Sequence, residues 1–171
     1  MLENESIKLR APEPEDLDWM YKWENNTQLW VYGSTIAPFS RYTLKEYIAN
    51  GGDFYEVRQM RLMIVARASD EVIGAVDLFD YDPFNQRCAV GILIDESWRC
   101  RNMATQALEL ICRYAFDFLS MHMLFAYVSS GNEASIRLFE KCSFQKSGVL
   151  KDWLRIYNQF EDAIIFQRIN K

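Results

Sequence analysis

Apolar positions in this chain recur at alternate residues in some stretches and at helical spacing in others. Ser6–Ala11 alternates like a strand. Pro14, followed by Glu15 and Asp16, makes an acidic first turn suited to a helix start, and this helix is predicted to reach about Asn25. Residues 26–40 read as a loop carrying Trp30, Tyr32 and Phe39. Ser40 is placed to cap a second helix, Tyr42–Asn50, stopped by Gly51-Gly52. Strands follow at Arg61–Arg67, Val72–Tyr81 and Arg87–Asp95, separated by turns at Ser69-Asp70-Glu71 and Pro83-Phe84-Asn85, which makes an antiparallel meander. The strongest helical signal comes next. Met103, Ala104, Ala107, Leu108, Ile111, Tyr114, Ala115 and Phe118 form one stripe, with Asn102, Gln106, Glu109, Arg113 and Asp117 opposite. A strand at Met123–Ser129, a short helix from about Glu133 to Cys142, and strands near Phe144–Trp153 and Phe160–Ile169 complete the chain. The order βααβββ and then αβαββ implies an α/β (α+β) fold, a mixed sheet with helices on its faces.

The length of 171 residues suggests one domain spanning 1–171. Half the residues are apolar, 25% are charged and the net charge is -5, so the chain can bury a real core. That charge argues against binding nucleic acid through phosphate neutralisation and is weakly compatible with a cationic small substrate. No stretch approaches the roughly 18 apolar residues of a membrane span, and the N-terminus lacks a signal-peptide core. No membrane association and a cytoplasmic location are therefore expected. Cys88, Cys100, Cys112 and Cys142 form no Cys-x-x-Cys pair and His122 is the one histidine, so neither a disulfide framework nor a metal site is expected.

The stretch "WRCRNMAT", Trp98–Thr105, lies between the apolar run Ile92-Leu93-Ile94 and the long helical stripe. A strand running through a polar loop into a helix aims backbone N–H groups and the positive dipole end at one spot. Arg99 and Arg101 add forked donors that match phosphate oxygens. Glycines in such loops supply positive φ; asparagine tolerates it next best, so Asn102 can stand for one, and Cys100 must sit where a small side chain fits. Taken alone, the stretch reads either as an anion cradle or as a surface turn with two solvated arginines.

A second stretch bears on that choice. "NEASIRLFEKCSF", Asn132–Phe144, resembles the motif Asn-x-x-Ser/Ala-Ile-x-Leu-Tyr-Glu-Lys-x-Gly-Phe, and "WRCRNMATQAL" resembles the Arg-x-x-Gly-x-Gly/Ala pyrophosphate loop. Both belong to the GNAT N-acetyltransferase superfamily. Its branch of ribosomal-protein and spermidine N-acetyltransferases is also resembled by "IKLRAPEPEDLDWMYKWEN", "VIGAVDLFDYD" and "GVLKDW". The resemblance covers nearly the whole chain. It implies a GNAT fold, a mostly antiparallel sheet of six or seven strands with a splayed, coenzyme-binding centre and helices on both faces. It also implies acetyl transfer from acetyl-coenzyme A to an amine, no metal, and a homodimer. Matched residue by residue, Ile92, Leu93 and Ile94 would meet the acetyl group and pantetheine through their backbone. Arg99, Cys100, Arg101, Asn102, Met103, Ala104 and Thr105 would hold the pyrophosphate. Asn132 would hydrogen-bond the pantetheine arm, with Ser135 and Phe139 beside it.

Three positions depart from the family pattern. Cys100 and Asn102 replace loop glycines, and Ser143 replaces the glycine of Lys-x-Gly-Phe. In addition, Phe139 stands where many relatives carry a tyrosine as general acid. Ser135 is then the candidate acid, as implied by a matching serine in the ribosomal-protein branch; the alternatives are a first-turn hydrogen bond for its hydroxyl and protonation of the thiolate by water. For the amine, alternation places Asp77 with Phe79 and Tyr81, and Asp80 with Val76 and Leu78. Either carboxylate can anchor an ammonium or relay its proton through water; the alternative is a purely structural role. Trp30, Tyr32, Trp153 and Tyr157 are candidate walls of the acceptor pocket, or else core. The loop "WVYGSTIAPFS" lacks the acidic residues of polyamine-specific relatives. The leading expectation is an acetyl-coenzyme A-dependent N-acetyltransferase acting on a small amine, a polyamine or a protein N-terminus. The alternative is a non-catalytic coenzyme-binding sensor or scaffold.

Overall fold

The computed structural model describes residues 1–33 and 35–171. Among them, six α-helices accompany the strands: α1 Leu17–Glu24, α2 Thr27–Trp30, α3 Arg41–Ala49, α4 Phe54–Val57, α5 Met103–Arg113 and α6 Glu133–Lys141. The strands are β1 Ile7–Arg10, β2 Met60–Ala66, β3 Glu71–Asp82, β4 Arg87–Ile94, β5 Met123–Ser129, β6 Gln145–Ile156 and β7 Gln159–Ile169. They form one 7-stranded sheet in the order β1-β2-β3-β4-β5-β7-β6. The pairings are antiparallel except β4 with β5, whose crossover is made by α5. This is the mixed, helix-covered sheet expected from the sequence.

Both faces of the sheet are covered. Leu62, Ile64, Val76 and Leu78 pack with Leu108 and Ile111 of α5 and Phe139 of α6. Their neighbours in the strands, Met63, Val65 and Ala75, turn the other way onto Met20 and Trp23 of α1 and Leu44 of α3. Double coverage explains why β2 reads as a continuous apolar run rather than an alternating one.

The structure differs from the pattern-based expectations in four places. The predicted loop at 26–40 contains α2, begun by Asn26, whose side chain accepts from the backbone N–H of Gln28 at 3.0 Å. After Gly51-Gly52 the chain forms α4, capped by the Asp53 carboxylate on Tyr55 N–H at 2.7 Å. Both are single turns, too short to show periodicity. The long helical stripe is regular only to Arg113; Tyr114–Phe118 widens to a π turn in which Leu119 N–H donates to the Tyr114 carbonyl at 3.1 Å. Finally, β6 continues past Trp153 to Ile156 through an irregularity between Leu150 and Leu154.

Candidate active site

The centre of the sheet opens where two strands part. β4 and β5 pair at Arg87–Met123, Cys88–Leu124 and Ala89–Phe125, and there the ladder ends. β4 nevertheless continues to Ile94 along β3, and β5 to Ser129 along β7. From Val90 onward the β5-facing edge of β4 therefore has no strand beside it. Cys88 to Val90 are buried, whereas Gly91 to Ile94 are partly open. Backbone groups on such an edge require a polar partner from elsewhere.

Asp95 fixes the end of β4. Its side chain is 5% exposed and accepts from Lys22 Nζ at 2.6 Å, Trp23 Nε1 at 3.0 Å, and Ser97 Oγ at 2.8 Å. Burial alone would push its carboxyl upward, but the donors from Lys22, Trp23 and Ser97 outweigh it and hold the group well below the ordinary carboxylate range. Sequence reasoning missed this residue. The signal available was an Asp-x-Ser turn, and its partners lie some seventy residues away.

The loop that follows keeps the backbone of a glycine loop without the glycines. Cys100 and Asn102 both have φ of 61°, in the left-handed region. Asn102 is the N-cap of α5 but makes no side-chain bond to that helix; instead its Oδ1 accepts from Lys141 Nζ at 2.8 Å. Arg99 Nε donates to the Ile94 carbonyl at 3.3 Å. The Arg101 guanidinium stacks 4.9 Å from the centre of the Trp98 ring. It is the one predicted pyrophosphate residue that does not line the groove. The third glycine replacement, Ser143, also has positive φ, 63°. It closes α6 with a paired motif, Phe144 N–H to Phe139 O at 3.0 Å and Ser143 N–H to Glu140 O at 3.1 Å.

On α6, Asn132 caps the helix through Oδ1, which accepts from Ser135 N–H at 3.2 Å. The Ser135 hydroxyl is partly buried and makes no hydrogen bond among the described residues. Phe139 follows one turn further along α6. Its ring is 4% exposed, edge-on to Phe144 at 5.0 Å and stacked on Phe166 at 5.8 Å. It forms the floor of the groove, and its aromatic surface is taken by the core.

At the other end of the groove, Asp77 stands opposite Gly91, where β4 leaves β5. Both its oxygens are held by Arg61, whose Nε and Nη2 donate at 2.8 and 2.9 Å. Arg61 Nη1 also donates to Glu24. The two carboxylates keep this nearly buried guanidinium charged, raising its pKa against the opposing effect of burial. Glu24 and Arg61 did not stand out in the sequence, because α1, β2 and β3 bring them together from distant segments. Asp80 does not sit on the apolar face with Val76 and Leu78. The register of β3 shifts between Phe79 and Asp82, and Asp80, at φ 51°, is turned out to solvent. Tyr81 takes the buried place instead and stacks on Phe54 at 4.9 Å.

Trp30, Trp153 and Tyr157 meet in a cleft of about 450 Å³. Tyr32 lies nearby on the larger groove and is well exposed. The irregularity in β6 throws Trp153 outward, and Trp30 is fixed by its Nε1 donating to the Glu24 carbonyl at 2.7 Å. Every predicted site residue apart from Arg101 lines a single groove of about 2330 Å³. Among the described residues no cluster of three or more metal-ligating side chains forms, and no helix is long and apolar enough to cross a membrane. Burial pushes the thiols of Cys88, Cys112 and Cys142 up to about 12, which makes them packing groups.

A family model described as acetyltransferase (GNAT) domain matches residues 6–145. An uncharacterised N-acetyltransferase, YoaA, of Bacillus subtilis (strain 168) is 32% identical over 156 residues, covering 90% of this chain and 88% of that protein. The spermidine N(1)-acetyltransferase of Escherichia coli (strain K12) is 28% identical over 168 residues, covering 95% and 87%. A crystal structure of spermidine N-acetyltransferase from Vibrio cholerae in complex with CoA and spermine shares the fold, with a TM-score of 0.86, 22% identity, and coverage of 98% and 97%.

Proposed function

Because the chain belongs to the acetyltransferase (GNAT) domain family and is an N-acetyltransferase, we propose that it moves the acetyl group of acetyl-coenzyme A directly onto a primary amine. The observation that carries this reading is the parting of β4 from β5. It leaves a strand edge at Val90–Ile94 free to hydrogen-bond an extended amide-bearing arm, and that edge leads into the left-handed loop before α5. These features fit the coenzyme. Amide groups of the edge bind the arm, backbone N–H groups at the start of α5 with Arg99 receive the diphosphate, and Asn132 has its amide nitrogen left for the arm. When bound, acetyl-coenzyme A supplies a thioester with a good leaving group.

The chain's own residues supply positioning and a proton route. A primary amine resembling lysine has a pKa near 10 and arrives as an ammonium, so it must lose a proton before attack. Asp77, both of whose oxygens accept from Arg61, is the candidate anchor for that ammonium and the route by which its proton passes through water to solvent. Ser135, whose hydroxyl has no protein partner, is the candidate proton donor to the departing thiolate. The catalytic unit is the single domain, and the acceptor is a small amine or a protein N-terminus. The test is release of free coenzyme thiol across a panel of primary amines. Amine-dependent release is expected, and Ser135→Ala should lower kcat while leaving coenzyme affinity close to wild type. Coenzyme binding without release for any amine would replace the transferase reading with that of a sensor.

A further inference from the structure

A chain of contacts runs outward from the point where β4 and β5 part. Asp77 is gripped by Arg61, Arg61 reaches Glu24, and the Glu24 carbonyl accepts from Trp30 Nε1 at 2.7 Å. Trp30 then forms a wall of the outer cleft with Trp153 and Tyr157. Charge is distributed unevenly along this path. At the inner end, two carboxylates face one guanidinium, leaving one negative charge in excess. Among the described residues lining the outer cleft, the one charged side chain is Arg155. Its Nε donates to the Tyr157 carbonyl at 3.1 Å, and it makes no ion pair among the described residues.

Resting on the amine-acetylation reading above, we infer that the acceptor carries one ammonium, an aromatic or apolar body, and an anionic group that meets Arg155. The inner excess charge balances one ammonium. The indole and phenol faces receive a flat or apolar body. The forked, unpaired guanidinium suits a carboxylate or a phosphate. Aromatic walls also attract ammonium groups, but a polyamine threaded here would set its distal ammonium beside Arg155 with no carboxylate in the cleft lining to offset it. The cleft therefore selects against polycations.

The matched probes are phenethylamine, 4-(2-aminoethyl)benzoate, O-phosphotyramine and spermidine, compared by kcat/KM for thiol release with the full chain. At least one anionic probe is expected to exceed phenethylamine by about ten-fold, the order expected of one charge-assisted contact. Spermidine should not exceed phenethylamine. Whichever of the benzoate and the phosphate is faster identifies the anion. Arg155→Gln should bring the anionic-to-neutral ratio close to one, and Arg155→Lys should restore part of it. A preference for phenethylamine or spermidine, or a ratio that ignores Arg155→Gln, overturns the inference. If no amine releases thiol, the transferase reading fails separately. Quenching of the cleft tryptophans by the same probes then decides: tighter binding of an anionic probe, lost in Arg155→Gln, upholds the anion site, and its absence overturns it.

Discussion

The two ends of the groove are built differently. The proposed coenzyme end is made mostly of backbone: a strand edge from Val90 to Ile94, a left-handed loop, and the starts of α5 and α6. The proposed acceptor end is made of side chains from α1, α2, β2, β3 and β6, which come from three separate stretches of the chain. A backbone site tolerates a change of side chain as long as the dihedral angles survive. A side-chain site changes its chemistry with each replacement. The three positions read in the sequence as stand-ins for glycine illustrate the first case, since Cys100, Asn102 and Ser143 all keep positive φ.

The largest expected effect falls beneath the coenzyme end. Phe139→Ala removes a ring packed on Phe144 and Phe166 and should cost about 4 kcal/mol of stability, read from the urea midpoint. An exposed coenzyme-contacting ring would instead lower coenzyme affinity at nearly constant stability. That outcome would return Phe139 to the groove wall.

Arg61→Met tests the acceptor end. It leaves the Glu24 and Asp77 carboxylates partly buried and facing one another, at a cost of about 3 kcal/mol. Because the arginine sits away from the diphosphate loop, the KM for amine should rise much more than the Kd for coenzyme. Equal loss of both would mean that the two ends are not separable.

What was legible in the sequence follows the same division. Strand and helix periodicities gave the sheet and its crossover, because Leu108, Ile111 and their stripe must face a core. The proposed coenzyme end could be read as a unit because its residues lie in two contiguous stretches, 92–105 and 132–139, which the fold brings to one groove. Even there, contiguity did not reveal that Phe139 points into the core or that Arg101 stacks on Trp98. At the acceptor end, Asp77 was singled out for its odd place on an apolar strand, but its partner Arg61 was not, since pairing across β2 and β3 has no local signature. Asp80 was misplaced because one extra residue in a bulge reverses the alternation beyond it.

Asp95 lies between the two ends, tying α1 to the tip of β4. Asp95→Asn should cost about 2 kcal/mol at pH 7, by weakening charge-assisted bonds to Lys22 and Ser97. The sign of the pH dependence follows from a folded-state pKa depressed below the unfolded value of about 3.9. The contribution is complete above the unfolded pKa and is lost as pH falls toward the folded one. Denaturation curves of wild type and variant should therefore lie apart at neutral pH and converge below about pH 4. Curves that stay equally separated at low pH would mean that Asp95 acts by shape and not by charge.

The smallest effect discriminates most finely, because it asks whether the coenzyme loop depends on its side chains at all. Cys100 holds φ at 61° without the freedom of glycine, and a left-handed non-glycine residue costs about 1 kcal/mol. Glycine relieves that cost but gains entropy in the unfolded chain, so Cys100→Gly should stabilise by about 0.5 kcal/mol. Asn102→Gly should be close to neutral, since asparagine visits this region readily and the change removes the bond from Lys141. Cys100→Ala keeps the strain and removes the thiol, so it should gain nothing. If alanine stabilises as much as glycine, the thiol itself is unfavourable in the loop, and a side chain, not the backbone angle, governs that end of the groove.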